Sequence, residues 1–140
     1  MHNRCFLGYT AGPPAPPSTD YPAPPLVSQA MILFVSACNM DANMQTWLGI
    51  SNSTAGRALV VPQINTEVEL DMGEYEWLRI LSYLTSGHQN LQQAVAQANN
   101  DVANHPGGWL DNTGKQVPAQ AWQVIGDAGN PNNRGAGIHF

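Results

Sequence analysis

The sequence predicts an α+β fold: a mostly antiparallel β-sheet carrying a two-helix layer, an αα-hairpin, with an extended proline-rich arm at the amino terminus. Three observations predict it. Residues 72–103 hold two runs of apolar positions at helical spacing, parted by a short turn. Short apolar or alternating runs bounded by Gly, Asn, Asp and Pro lie on either side. Seven of the eleven prolines fall within the first 25 residues.

The first helical run opens after residues 64–72, where Ile64, Val68, Leu70 and Met72 alternate with Asn65, Glu67, Glu69 and Asp71, the period of a strand with one buried face. Asp71 with Glu74 makes a D-x-x-E capping arrangement, so a helix is expected from near Met72. Trp77, Ile80, Leu81 and Leu84 mark its apolar face, with Glu76, Arg79 and Ser82 opposite. Gly87 offers a left-handed stop, and Ser86 with Gln89 repeats the capping spacing at the start of a second helix. Leu91, Ala94, Val95, Ala98 and Val102 form that helix's stripe, and His105-Pro106-Gly107-Gly108 ends it.

Residues 26–37 read as a central strand, with Val27, Met31, Leu33 and Val35 on one face and Leu26, Ile32 and Phe34 on the other. Residues 45–50 and 57–61 read as two more strands around a loop of turn-formers, with Pro62 at an edge or bend. Beyond the helices, Trp109-Leu110 and Gln116-Val117 flank Asp111-Asn112-Thr113-Gly114 as a hairpin, and residues 119–125 form a last strand or a short helix. The chain thus divides into an arm over 1–25, one α+β domain over 26–125 and an irregular tail over 126–140.

Prolines in the arm exclude a helix and favour polyproline II, in which residues 11–25 reach about 45 Å at ~3.1 Å per residue. Pro13, Pro14, Pro16, Pro17, Tyr21, Pro22, Pro24 and Pro25 are the residues expected to contact neighbouring subunits.

Composition narrows function. Charged residues are 11% of the chain, against a usual level of about 25%. Asn and Gln together number 23, against 15 Asp, Glu, Lys and Arg. Amides exchange water for protein hydrogen bonds at much lower cost than ions, so Gln92, Gln93, Gln97 and Asn100 on the second helix are candidates for a contact face. The net charge of −5 with scattered Arg4, Arg57, Arg79, Lys115 and Arg134 argues against nucleic acid. The longest apolar run, residues 30–35, is far short of the roughly 20 needed to span a membrane. Residues 1–5 lead into no signal-peptide segment, so Sec export is not expected. Cys5 and Cys38 read as free thiols rather than a disulfide framework.

No motif of any specificity for catalysis, metal or cofactor stands in the chain. Glu67, Glu69 and Asp71, spaced about 6.8 Å on a strand face, read as a solvated acidic face before a Ca²⁺ site. His2, His88, His105 and His139 share no ligating spacing. Gly49-Ile50-Ser51-Asn52-Ser53 lacks the last glycine of a nucleophile elbow, and Thr113-Gly114-Lys115 is a turn rather than a phosphate loop.

Two functions remain. The first is a non-enzymatic structural subunit of a large assembly, such as a capsid decoration protein or a head-tail or tail component of a bacteriophage virion. It would assemble in the host cytoplasm and clamp copies of itself and other structural proteins with its arm. The alternative is a small binding module in which exposed Trp47, Trp109 or Trp122 stack on a sugar or other planar ligand beside Asn and Gln.

Overall fold

A computed structural model describes residues 31–36, 50–51, 53–63, 68–127 and 134–140. The arm over 1–25, both cysteines, Trp47, Glu67 and His2 therefore lie outside the described residues.

The elements run β1 (Ile32–Phe34), β2 (Ala58–Pro62), α1 (Leu70–Thr85), α2 (Leu91–Ala103), β3 (Trp109–Leu110), β4 (Gln116–Val117) and β5 (Trp122–Gly126). This is an α+β arrangement, with a three-stranded sheet ordered β1-β2-β5 and a separate β3-β4 hairpin.

The main sheet is mixed. β1 runs parallel to β2 with Leu33 opposite Leu59, and β2 runs antiparallel to β5 with Val60 opposite Val124. The connection over 35–57 is long enough for the crossover a parallel pair requires. Of the strand expected over residues 26–37, only 31–36 are described; they form β1 at 32–34, which takes an edge among the described residues, while β2 takes the centre. All five β2 residues are buried, as a middle strand covered on both faces should be. Ile50 is also buried but lies in no strand.

Ile32, Phe34, Ala58, Val60, Trp122 and Val124 turn towards the helices and pack with Met72, Ile80, Leu84, Leu91, Ala94, Val95 and Ala98. Trp122 joins the layers. Its ring stacks on Phe34 at 5.7 Å and its indole N–H donates to Val35 O across β2 at 2.9 Å.

α1 corrects the reading of residues 64–72. Val68 and Glu69 belong to no strand, and Leu70, Asp71 and Met72 are already helical. Leu70 is 70% exposed, whereas Met72, Glu76, Ile80 and Leu84 lie buried four residues apart. Helical phase overrides alternation there. The Asp71–Glu74 capping box does not form, since the cap residue is Glu69 and its side chain makes no cap bond.

Gly73 faces the end of β1. A Cβ there would stand 2.7 Å from Ser36 Cβ and closer still to its Oγ. Gly73→Ala is expected to destabilise by roughly 1–2 kcal/mol, overpacking set against about 1 kcal/mol of gained helix propensity. Adding Ser36→Gly should recover most of the loss in urea titrations. A Gly73→Ala chain as stable as the parent would contradict this packing.

The turn between the helices is also corrected. His88, not Gly87, takes positive φ (51°). Gly87 is required for space, because a Cβ would sit 2.7 Å from Tyr83 O. The capping box of α2 is Asn90 with Gln93, four residues later than Ser86 with Gln89: Asn90 Oδ1 accepts from Gln93 N–H at 2.8 Å and Gln93 Oε1 from Asn90 N–H at 3.2 Å. The tail completes that helix end. Leu91 N–H donates to Ile138 O (2.8 Å) and Gln92 N–H to Gly135 O (3.3 Å), with the Ile138 side chain buried. Residues 134–140 form no helix or named strand, yet they supply two acceptors for the orphan amides of α2.

The β3-β4 hairpin pairs Trp109 with Val117 and Leu110 with Gln116. Asp111 Oδ1 organises its turn by accepting from Thr113 N–H, Thr113 Oγ1–H and Lys115 N–H, and these bonds hold the Asp111 pKa below the usual carboxylate value.

Candidate functional site

Two places hold polar chemistry that packing alone does not require. The first lies between α1 and α2. Tyr75, Arg79 and Tyr83 share one stripe of α1 at four-residue spacing, and the Arg79 guanidinium sits between the rings, 5.5 Å from the Tyr75 centroid and 5.7 Å from that of Tyr83. Asp101, in the last turn of α2, meets this stripe: its Oδ2 accepts from Arg79 Nε at 3.0 Å and from the Tyr83 hydroxyl. A carboxylate at a helix carboxyl end opposes the dipole, and these two donors offset that cost. Hydrogen bonding to Asp101 raises the pKa values of Arg79 and Tyr83. The stripe continues as a ring stack, with His105 on Trp109 at 4.1 Å and the edge of Tyr75 against both.

Behind that surface lies Glu76. It is 0% exposed, and neither carboxylate oxygen has a hydrogen-bond partner. Burial, with a smaller contribution from the charge of Asp101, pushes its pKa up from 4.5 to about 8. The residue placed on the outer face by its chemistry therefore belongs to the core, as a neutral acid at pH 7. It is sealed from any substrate. The outward residues Arg79, Asp101 and Tyr83 are engaged with one another, which suits a strut between helices.

The second place is an open cleft of about 290 Å³ between α2 and the outer edge of β5, lined by Gln92, Val95, Ala96, Asn99, Val124 and Arg134 among others. Asn99 spans it at one end, accepting from Trp122 N–H and donating to Trp122 O, each at 2.9 Å. The Arg134 Nε is buried and makes no hydrogen bond.

No known family, characterised protein or solved structure matches this chain.

The ligand-stacking role of Trp109 and Trp122 does not fit. Both rings are buried (6% and 1% exposed), and their indole N–H groups are taken by Val102 O and Val35 O. The packing requirement of a large ring with one donor wins over display. Of the helix residues singled out for contacts, Gln93, Gln97 and Asn100 are exposed, whereas Gln92 is half-buried in the cleft wall. Gln93 serves the cap of its own helix, and Gln97 accepts from Gln89. Glu69 and Asp71 sit at the start of α1 instead of on a strand. Among the described residues no three His, Cys, Asp or Glu stand close enough to hold a metal ion, and no described helix is long and apolar enough to cross a membrane.

Sequence reasoning missed Glu76, the Arg79–Asp101–Tyr83 network and the Arg134 cleft. The i, i+4, i+8 spacing of Tyr75, Arg79 and Tyr83 was the one local signal available for the network. The cleft joins residues from three distant segments and had none.

Proposed function

We propose that this chain is a non-enzymatic structural subunit of a large assembly, of the kind from which bacteriophage virions are built, with its amino-terminal arm laid over neighbouring copies. The observation that carries this reading is the outer face of α2. Gln93, Ala96, Gln97, Asn100 and Ala103 are exposed along the helix, and none is ionisable. The one acid of the helix, Asp101, is turned into the α1 contact. Such a face is covered by another polypeptide at little desolvation cost, and surfaces that remain in water commonly carry more ions. Seven prolines in the first 25 residues favour extended backbone, which has little conformational entropy to lose on docking.

The test is truncation. Removing residues 1–25 is expected to leave a domain with unchanged helical circular dichroism that no longer joins its particle or self-associates in sedimentation. A truncated chain that assembles like the intact one removes the arm from the assembly.

A further inference from the structure

The outer edge of β5 is the feature that asks for a missing neighbour. In an antiparallel pair, alternate residues direct their N–H and C=O to opposite edges. Residues 121, 123, 125 and 127 point towards β2, as shown by the bonds from Gln63 N–H to Ala121 O (2.8 Å) and from Asp127 N–H to Arg57 O (2.7 Å). Trp122 and Val124 accordingly point outward. At Trp122 the edge is closed by the Asn99 amide, which acts as a strand neighbour would. At Val124 no described residue does the same, and its outward N–H and C=O border the cleft that contains Arg134. Among the described residues, Arg134 is the only charged one lining that cleft. An extended segment that exchanges main-chain bonds with Val124 and brings a carboxylate to Arg134 satisfies both groups at once.

We propose that the free edge of β5 receives the amino-terminal arm of a second copy of this chain, antiparallel, with Asp20 opposite Val124 and its carboxylate on Arg134. The inference rests on the assembly role given above to the arm. Asp20 is the only acid in the first 25 residues, and it lies in Ser18-Thr19-Asp20-Tyr21, the proline-free window between Pro17 and Pro22. This register sets Pro22 opposite Trp122, where Asn99 already holds the outward groups and the missing proline donor costs nothing. A residue directly opposite Val124 puts its side chain on the same face of the sheet, the face turned to α2 and the cleft. The pairing is between copies because, within one chain, the docked segment would run parallel to β1. Residues 23–31 would then have to return across the sheet, short of the dozen or more that a parallel crossover takes.

Sedimentation equilibrium of the full chain tests this. Asp20→Arg and Arg134→Glu should each weaken self-association at least tenfold. Mixing those two variants should restore it, because the arm of one then matches the cleft of the other. Val124→Pro removes the outward donor while leaving the bonds to β2 intact, so it should keep the circular dichroism of the parent and lose association. A parent chain that associates while all three variants match its strength overturns this inference and leaves the assembly reading standing. A parent chain that stays monomeric at every concentration overturns both. Single variants that weaken association but show no recovery on mixing place the contact elsewhere and overturn the Asp20–Arg134 pair.

Discussion

Trp122→Ala is expected to cost about 3–5 kcal/mol, the range for emptying a buried aromatic site. Folded domains are commonly stable by only about 5–15 kcal/mol, so this one substitution should bring the chain close to unfolding at room temperature. The ring is 1% exposed, stacks on Phe34 and fills the space between the sheet and the helices. Its indole N–H also reaches over β2 to Val35 O, tying β5 to the end of β1 although the two strands are not neighbours. Trp122→Phe separates the two contributions: it keeps most of the ring but leaves the Val35 carbonyl without that donor, for a loss of about 1–3 kcal/mol. The Asn99 bonds go to the main chain of residue 122 and survive both changes. Urea titrations on the two variants measure the difference. A Trp122→Ala chain within 1 kcal/mol of the parent would mean that Trp122 does not join the layers.

What the sequence revealed and what it concealed follow from the range of the interactions. The stripe Leu91, Ala94, Val95, Ala98, Val102 is buried throughout, because an alanine-rich helix has a single apolar face and nothing local competes with it. The β3-β4 hairpin was legible for a similar reason: Asp111 supplies its turn with three hydrogen bonds from within four residues. Strand order was not legible. Residues 26–37 hold the longest apolar run of the chain, residues 30–35, yet β2 takes the centre, since run length reports burial and not which strand has two neighbours. The tail illustrates the same limit. Glycine, asparagine and proline foretell irregular backbone, but nothing in those side chains announces that the carbonyls of Gly135 and Ile138 cap α2.

Glu76 is the clearest case of chemistry misdirecting a reading that geometry would have corrected. Its identity placed it outside; its position, four residues after Met72 and four before Ile80, placed it inside. The consequence is a stability that depends on pH in a direction opposite to that of a paired carboxylate. With the folded-state pKa raised from 4.5 to about 8, the native state holds a proton that the unfolded state has released throughout that interval. Stability is therefore fully present below pH 4.5, falls by about 1.4 kcal/mol per pH unit as pH rises through the window, and levels off above pH 8. The formal charge of −5 counts Glu76 as ionised, so the folded chain should carry about one negative charge fewer at pH 7. Glu76→Gln should remove this contribution to the slope and leave the variant roughly 2–4 kcal/mol more stable than the parent at pH 9, after allowance for the buried amide. Glu76→Leu extends the argument. Because neither oxygen has a partner to lose, an apolar side chain of similar size should stabilise the fold at every pH, most of all above pH 8. Urea midpoints from pH 5 to 9 decide it: parent and Glu76→Gln curves that run parallel across the window would show that Glu76 titrates as an ordinary, hydrated carboxyl and is not enclosed beneath Asp101.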